Sequence, residues 1–339
     1  MGYGTKVDTV IGGLSRFLHV RPAKENTVDD LERYLDLPAD EAFPKPPALT
    51  HVAMKRTLLD KAIRSSTVTW RSTHQVLCPR YRRRHEGEYR INQNASMRWV
   101  RPDGKRRPHC LVYVHGWLEP GSWAEETTLF RKWSRDLERC DLAHVALPFH
   151  GVRKPWRALY SGELFWTADL VRTVEGIRQS VHDVRSAIGW LREQGYEEIG
   201  VTGLSLGGAI TMLLACFEDP PDYVIPMIAH LQLVEAVEQA PILWRMKHDL
   251  SRWGVDAEER KRIFDRLGWA TYPPVLAPEH QLWVQAREDV YIDAKLAERQ
   301  WRTWGEPPIL WIDGGHMTFP LHVDAMTRRM AQFIEARAR

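Results

Sequence analysis

A serine set between closely spaced glycines is the most chemically suggestive feature of this 339-residue sequence. The pattern Gly203-x-Ser205-x-Gly207 follows a short, partly β-branched run at 198–202 that is typical of a buried strand. An apolar run at 209–215, typical of a buried helix, comes directly after it. A serine on such a sharp strand-to-helix turn is a nucleophile elbow, in which the turn pushes the hydroxyl out of the sheet. The alternative interpretation is a glycine-rich packing turn whose serine only caps the helix.

A carboxylate and an imidazole follow the last two predicted strands of the chain. Asp289 comes just after an apolar run at 281–286, and His316 comes just after another at 308–313. Ligand sites in open α/β sheets lie outside the carboxyl ends of the strands, so these two side chains can converge with Ser205. The chemistry would be nucleophilic catalysis, because a serine hydroxyl needs a neighbouring base and that base needs an orienting acid.

Other interpretations compete for two of these roles. Glu288 and Asp293 are alternatives to Asp289 as the acid. Glu235, after the preceding strand, is a weaker alternative. His316 could also be a buried histidine beside a Gly-Gly turn. The chain order of serine, acid and histidine favours the catalytic interpretation of all three residues.

Several motifs give the segment from about residue 105 to 336 a resemblance to the α/β-hydrolase superfamily. They are His115-Gly116-Trp117, the elbow at 203–208, Ala286-x-x-Asp289-x-x-Ile292, and Gly315-His316. The resemblance implies Ser205 as the nucleophile, His316 as the general base and Asp289 as its orienting partner. It also implies an oxyanion hole made by the backbone N–H groups of Leu206 and Trp117. Ala286 departs from the pattern, since the family often has glycine there.

Further residues near these motifs are candidates for contact with a substrate. His115 and Gly116 adjoin the expected oxyanion loop, and His115 is expected to shape that loop rather than take part in the chemistry. His150 and Arg153 follow a strand end and are tentative substrate-binding residues, or else plain loop residues. The basic run at 80–84 is expected to be a solvated loop, with phosphate or an anionic membrane surface as an alternative ligand.

Strands and helices alternate through most of the chain, which predicts a mostly parallel central sheet with helices on both faces, the α/β-hydrolase fold. Residues 1–75 are predicted to be a mainly helical N-terminal extension that packs against the rest or forms a dimer contact. Its predicted helices lie at 7–20, 27–37 and 49–64. Residues 76–339 are the predicted hydrolase domain, and the polar, helical stretch at 233–275 is predicted to be a cap or lid inserted into it.

The amino-acid composition of the chain argues against several classes of protein. The net charge of 47 − 44 = +3 is too small to imply nucleic acid as a partner. The four cysteines form no Cys-x-x-Cys pair, so we expect neither a zinc site nor a redox motif. Reduced thiols, as in the cytoplasm, are expected, with two disulfides as the alternative. We also expect no other metal and no cofactor. No apolar run approaches the ~18–20 residues of a transmembrane helix, and the first residues lack a convincing signal peptide.

The sequence therefore predicts a serine hydrolase that cleaves a small-molecule carboxylic ester or thioester through an acyl-enzyme. Alternatives are an acyltransferase or peptidase with the same triad, or a non-catalytic scaffold that binds a ligand or partner. A homo-oligomer is compatible with the sequence. Ser205 excludes the enzymes of this superfamily that use an aspartate nucleophile.

Overall fold

A central sheet with helices on both faces forms the body of the protein in a computed structural model of the chain. The structure describes residues 2–15, 19, 21–60, 63–102 and 105–337, with 58–60 described by backbone alone. The strands are β1 (Val52–Asp60), β2 (Ile63–Arg71), β3 (Asn94–Arg101), β4 (His109–Val114), β5 (Cys140–Val145), β6 (Glu198–Leu204), β7 (Tyr223–Met227), β8 (Trp283–Ala286) and β9 (Ile309–Ile312).

These strands form one sheet in the order β1-β2-β3-β5-β4-β6-β7-β8-β9. Neighbouring strands from β5 to β9 pair in parallel, whereas β1, β2 and β3 form an antiparallel edge. All side chains of β4 and β5 are buried, as expected for parallel strands covered on both faces. The predicted α/β fold with a mostly parallel sheet is therefore confirmed.

Helices cover both faces of this sheet. They are α1 (Tyr3–Ser15), α2 (Ala39–Ala42), α3 (Pro79–Glu86), α4 (Trp123–Glu125), α5 (Arg131–Asp136), α6 (Leu170–Glu193), α7 (Leu206–Leu214), α8 (Leu233–Gln239), α9 (Trp244–Arg252), α10 (Ala257–Leu267), α11 (Ala294–Thr303) and α12 (Val323–Arg337). Apolar residues of α6 and α7 pack in one core cluster, and those of α5 and α12 pack in a second. In the described part of the chain, every helix falls short of the length and apolar character that crossing a membrane requires.

The stretch at 233–275 is helical, as the sequence predicts. It contains α8, α9 and α10 and lies in the chain between β7 and β8, two adjacent strands of the parallel sheet. Buried apolar residues of these helices join the same core cluster as α6 and α7. We call residues 233–275 the cap from here on.

The helix predicted over 49–64 is wrong, because β1 occupies most of that range. β1 and β2 form an antiparallel hairpin that extends the sheet beyond β3. The predicted extension at 1–75 therefore supplies two strands of the sheet and is helical only in part. The side chains at 52–57 of β1 are exposed or half-buried, so the spacing of apolar residues does not distinguish this edge strand from a helix.

The basic run at 80–84 also differs from its prediction as a solvated loop. It lies in α3, which begins with Pro79, a residue well suited to the first turn of a helix. Arg84 forms an ion pair with Asp169 at 2.9 Å and donates a hydrogen bond to the Tyr89 hydroxyl at 2.8 Å. These contacts attach α3 to the start of α6.

Candidate active site

Ser205 lies at the turn between β6 and α7 in a backbone conformation that is rare for a residue with a side chain. Its φ is 55° and its ψ is −113°, and a non-glycine residue at positive φ is strained. A Cβ built on Gly207 would lie 1.9 Å from the carbonyl oxygen of Val114, and one on Gly203 would lie 2.3 Å from the carbonyl oxygen of Gly207. The two glycines are therefore required by the close approach of helix and strand.

The hydroxyl of Ser205 does not cap α7, because its side chain makes no capping hydrogen bond to that helix. This observation removes the interpretation of the motif as a packing turn with a capping serine. The backbone N–H of Ser205 donates to the carbonyl oxygen of Met227 at 2.9 Å, which fixes the turn against the end of β7.

His316 and Asp289 form a hydrogen-bonded pair at the carboxyl ends of β9 and β8. Nδ1 of His316 lies 2.8 Å from Oδ2 of Asp289. Oδ1 of Asp289 accepts the backbone N–H groups of Tyr291 at 2.7 Å and Ile292 at 2.8 Å, so the carboxylate is held from both sides. A carboxylate only accepts, hence Nδ1 of His316 carries a proton and Nε2 is the basic nitrogen when the ring is neutral.

The environment of His316 shifts the pKa of its imidazole upwards. Burial acts to lower this pKa, but the carboxylate of Asp289, with a contribution from Asp8, more than offsets burial. The side chain is 15% exposed. A histidine that is partly accessible and has a pKa above its ordinary value is suited to accepting a proton and then holding it briefly.

Glu288 and Asp293, two of the other candidate acids, have different partners. Oε2 of Glu288 accepts the backbone N–H of Gly4 at 2.7 Å. Asp293 caps α11 by accepting the backbone N–H of Lys295 at 2.8 Å. Glu235 lies on α8 in the cap. Among these candidates, the structure pairs Asp289 with His316.

The loop after β4 passes beside Ser205. A Cβ built on Gly116 would lie 3.9 Å from Cβ of Ser205, an ordinary van der Waals distance that shows how close this loop comes to the elbow. The indole N–H of Trp117 donates to the carbonyl oxygen of Gly162 at 2.8 Å, and its ring stacks on His19 with 4.7 Å between centroids. Leu206 is the first residue of α7, where backbone N–H groups have no partner within the helix.

His115 fixes the loop after β4 through hydrogen bonds of its ring. Its Nε2 accepts the backbone N–H of Leu147 at 3.0 Å, so the ring proton is on Nδ1, which donates to the carbonyl oxygen of Gly116 at 2.8 Å. Burial lowers the pKa of His115, which keeps the ring neutral. This geometry agrees with the expected shaping role and gives His115, at 1% exposure, no route to direct contact with a substrate.

The tentative assignment of Arg153 and His150 to substrate contact is wrong. Arg153 is fully buried, forms an ion pair with Asp183 at 2.8 Å and donates to the carbonyl oxygen of Ala146 at 2.9 Å. His150 is 1% exposed and its ring packs on that of His115, with 4.9 Å between centroids. Both side chains fill the interior under the loops, because the chain turns inward after β5.

Among the described residues, Glu119, Glu125 and His144 form a group that could hold a metal ion, with ligand atoms within 4.8 Å of one another. Nε2 of His144 already lies 3.0 Å from Oε2 of Glu119, and Nδ1 of His115 lies 3.3 Å from the same oxygen. Burial and the neighbouring Glu119 raise the pKa of Glu125 to about 7, so a proton can bridge the two carboxyl groups. The cluster joins β5 to the loop after β4, and the absence of a metal stays a prediction.

The cap and the N-terminal segment enclose the space next to Trp117. A cavity of about 30 Å³ remains there, bordered by His19, Tyr160, Leu243 and Met246. The N-terminal segment therefore borders this cavity through His19, and the cap borders it through Leu243 and Met246.

Asp8 is the residue of the site that the sequence analysis missed. Its Oδ2 accepts the backbone N–H of His316 at 2.7 Å, and its Oδ1 accepts that of Met317 at 2.8 Å. The available signal was an aspartate on the same helical face as Gly4 and Gly12, where an apolar side chain is expected.

Comparison with known proteins agrees with this fold. The family model described as alpha/beta hydrolase domain containing 18 matches residues 141–237. An uncharacterized protein of Mycobacterium tuberculosis (strain H37Rv), Rv2627c, is 28% identical over 316 residues, which cover 90% of this chain and 70% of the relative.

Solved structures extend the agreement to nearly the whole chain. An acetyl xylan esterase from Paenibacillus sp. R4 has a TM-score of 0.61 at 16% identity and covers 94% of this chain and 98% of its own. Acetyl xylan esterase 1 from Thermoanaerobacterium sp. JW/SL YS485 has a TM-score of 0.61 at 13% identity. The match covers 95% of this chain and 98% of the esterase chain. Identities this low show the fold alone. Together with the family model that matches residues 141–237, this shared fold confirms the resemblance to the α/β-hydrolase superfamily.

Proposed function

We propose that this protein is a serine hydrolase that cleaves a carboxylic ester or thioester through an acyl-enzyme on Ser205. The observation that carries the proposal is the His316–Asp289 pair, with 2.8 Å between Nδ1 and Oδ2, at the sheet edge where the strained Ser205 turn lies. An α/β-hydrolase fold shared with two esterases supports hydrolase chemistry, although the fold alone does not decide it.

The proposed reaction begins with attack of Ser205 Oγ on the carbonyl carbon of the ester. Nε2 of His316 takes the hydroxyl proton, and Asp289 stabilises the imidazolium that forms. The tetrahedral intermediate then collapses, the bond to the leaving alcohol or thiol breaks, and His316 returns the proton to that leaving group. Water attacks the acyl-enzyme in the same way, which releases the acid and restores Ser205.

The oxyanion of this intermediate needs hydrogen-bond donors. We assign the backbone N–H groups of Leu206 and Trp117 to this role, since the first belongs to the start of α7 and the second follows Gly116 beside Ser205. Donors preorganised at such a position are typically worth a factor of ~10²–10³ in rate each. The N-terminus of α7 adds a favourable dipole toward the developing negative charge.

A series of p-nitrophenyl esters of rising acyl length, together with a thioester, tests the proposal. The wild-type protein should turn over at least one of them, and Ser205→Ala should lower kcat by several orders of magnitude. Ser186→Ala is a matched control, because it removes a buried hydroxyl of α6 that only donates to the carbonyl oxygen of His182 at 2.9 Å. Turnover that survives Ser205→Ala would contradict the proposed nucleophile.

The alternatives give different results in the same series. An acyltransferase would show turnover that increases with an added alcohol acceptor, and a peptidase would prefer an amide. A protein that neither hydrolyses any ester nor reacts at Ser205 with a fluorophosphonate would be a scaffold without catalysis, and the proposal would be wrong.

A further inference from the structure

Helix α1 has a buried face made of small residues and one carboxylate. Gly4, Asp8, Gly12 and Ser15 are buried, a spacing that puts them on one side of the helix. Asp8 is fully buried, at 0% exposure. An ionisable side chain is seldom buried unless it has hydrogen-bond partners, so the contacts of Asp8 explain where the helix docks.

Three backbone N–H groups point at this carboxylate. Oδ2 accepts those of His316 at 2.7 Å and Val290 at 3.3 Å, and Oδ1 accepts that of Met317 at 2.8 Å. Val290 directly follows Asp289, so the N–H groups come from the two loops that carry the acid and the base. Hydrogen bonds from backbone N–H groups to an ionised carboxylate are among the stronger ones in proteins. Asp8 therefore ties the two loops together.

Other contacts bring the helix backbone directly onto these loops. The N–H of Gly4 donates to Oε2 of Glu288 at 2.7 Å, and the hydroxyl of Tyr291 donates to the carbonyl oxygen of Asp8 at 3.2 Å. A Cβ built on Gly4 would lie only 2.2 Å from the backbone nitrogen of Gly315. A glycine at this position of α1 is therefore what allows the carboxylate of Asp8 to reach its donors.

We propose that α1 is part of the active site, with Asp8 as a positioning residue that fixes the backbone of His316 against the loop of Asp289. Asp8 transfers no proton and touches no substrate in this account. The effect of Asp8 on catalysis depends on the proposed serine hydrolase function. The contact by which Asp8 positions the backbone of His316 does not depend on that function.

The charge of Asp8 adds an electrostatic effect to the positioning. Among the described residues, Asp289 and Asp8 act on the charge of His316, and the ring of Tyr291 packs against it. Other ionisable groups lie on the neighbouring elements. Glu288 binds Gly4 of α1, His230 interacts with Asp289, and His322 lies beside Gly314. Burial lowers the pKa of His230 to about 4, so that ring stays neutral. Asp8 contributes to raising the pKa of His316, so removing its charge should lower that pKa.

Two substitutions in α1 test the proposal, each with a matched control. Asp8→Asn keeps the shape of the side chain but turns one acceptor oxygen into a donor facing backbone N–H groups. Its control is Asp222→Asn, since Asp222 also accepts a backbone N–H, from Ile199 at 2.7 Å, at the opposite end of β6. Gly4→Ala should lift the helix off Gly315 through the steric clash.

Gly13→Ala is the control for Gly4→Ala. A Cβ on Gly13 meets nothing within 4 Å, and both changes replace a glycine of the same helix by alanine, which favours helical backbone. If Gly4→Ala changes the hydrogen exchange and Gly13→Ala does not, the effect therefore comes from the docking of α1 and not from the stability of the helix itself.

Amide hydrogen exchange of peptides covering 288–292 and 314–318 measures the positioning directly. Exchange there should become on the order of 10-fold faster in Asp8→Asn and Gly4→Ala, since local opening becomes easier, and should not change in the two controls. The rate at which a fluorophosphonate labels Ser205 should fall by roughly 10–100-fold in the same two variants, as expected for a small misplacement of the base. The pH midpoint of labelling should also move down in Asp8→Asn, and the KM for an ester should stay the same.

Unchanged exchange in both peptides and an unchanged labelling profile in Asp8→Asn would overturn the proposal. If Asp8→Asn does not fold, the comparison of Gly4→Ala with Gly13→Ala decides, and equal exchange in those two variants would also overturn it. Faster exchange in a protein whose wild-type form is never labelled at Ser205 would support the positioning contact and contradict the proposed hydrolase function.

Discussion

The strained backbone of Ser205 is the residue-level feature on which the proposed chemistry depends. A positive φ of 55° needs surrounding structure to hold it, and that structure is the close contact of Gly203 with Gly207 and of Gly207 with Val114. Such strain is commonly found at functional sites. The same close packing also explains the pattern of glycines in the sequence.

Replacing Asp289 by asparagine tests the assignment of the acid. Asp289→Asn should lower kcat by on the order of 10⁴, because an amide N–H facing Nδ1 would favour the wrong tautomer of His316. Asp293→Asn is the matched control, since Asp293 only caps α11 through the N–H of Lys295. Steady-state kinetics on one ester compares the two. A larger loss in Asp293→Asn, with both proteins folded, would mean that the acid is misassigned.

The pH profile tests the state of His316. The ring must be neutral to accept the Ser205 proton, and its pKa is raised above the ordinary value by Asp289 and Asp8 in spite of burial. The value of kcat/KM should therefore rise with pH through a single ionisation whose midpoint lies above about 6.5. Measurements between pH 5 and 9 would check this, and a midpoint well below 6 would contradict the electrostatic account.

At this scale the sequence analysis found candidate residues that follow strand ends. The pairing of Asp289 with His316 is observed, whereas their catalytic role and that of Ser205 stay predictions. These candidates could be found because parallel strands end at one edge. Asp8 could not, since its partners are backbone N–H groups far away in the chain. Arg153 was misjudged because its position after β5 did not reveal the buried partner Asp183.

The long helix α6 shows how an element connects the N-terminal segment to the sheet. The carboxylate of Glu175 accepts the hydroxyl of Tyr34 at 2.7 Å and the N–H of Leu77 at 2.8 Å, and it contacts His74 at 2.7 Å and Arg178 at 2.8 Å. Burial acts to raise the pKa of Glu175, but the His74 hydrogen bond and Arg178 lower it to about 2. The ionised form of this buried carboxylate is therefore stabilised by these hydrogen bonds and by the ion pair with Arg178.

Glu175→Gln should lower the free energy of unfolding by ~3 kcal/mol at pH 7, because it leaves Arg178 buried without its counter-charge. The wild-type protein should also lose this contribution as the pH falls from about 4.5, the ordinary value, towards 2, since the folded pKa is the lower one. Urea unfolding at several pH values measures both effects. Glu298→Gln, in an exposed pair with Arg302 on α11, should change stability by less than ~0.5 kcal/mol, and equal losses would contradict the account.

The cap can be tested through the cavity next to Trp117. Met246→Ala removes a wall of that cavity, so the preference among ester substrates should shift towards longer acyl chains. Leu250→Ala is the matched control, because Leu250 is buried in the same helix α9 but does not border the cavity. Both changes should cost ~2–5 kcal/mol in stability. A chain-length profile that is the same in both variants would argue against the cap as a boundary of the substrate site.

Elements with local signals were predictable, and those that depend on distant partners were not. The central strands are continuous apolar runs, and α6 to α10 carry apolar residues at helical spacing. The helix predicted over 49–64 is wrong for β1, because the side chains at 52–57 are all exposed or half-buried and no alternation of buried residues marks the strand. The arginines of α3 were misread as a loop because their partners on α6 are not visible locally.

At the scale of the whole molecule, the sheet holds the proposed site at the carboxyl ends of its parallel strands. The elbow follows β6, the acid follows β8 and the histidine follows β9, while α1 and the cap lie over that edge. The two ends of the chain are thus linked, because α1 bonds to the loop that leads into α12. This arrangement makes the N-terminal segment part of the hydrolase body rather than an addition to it.

Mapping the covalent adduct of a fluorophosphonate tests the central claim most directly. The wild-type protein should gain the mass of one phosphonyl group, and peptide analysis should place it on Ser205, whose hydroxyl His316 activates in the proposed mechanism. Ser205→Ala should gain no mass, and Asp289→Asn should react much more slowly. An adduct on another residue, or ester turnover by a protein in which Ser205 is never modified, would contradict the account.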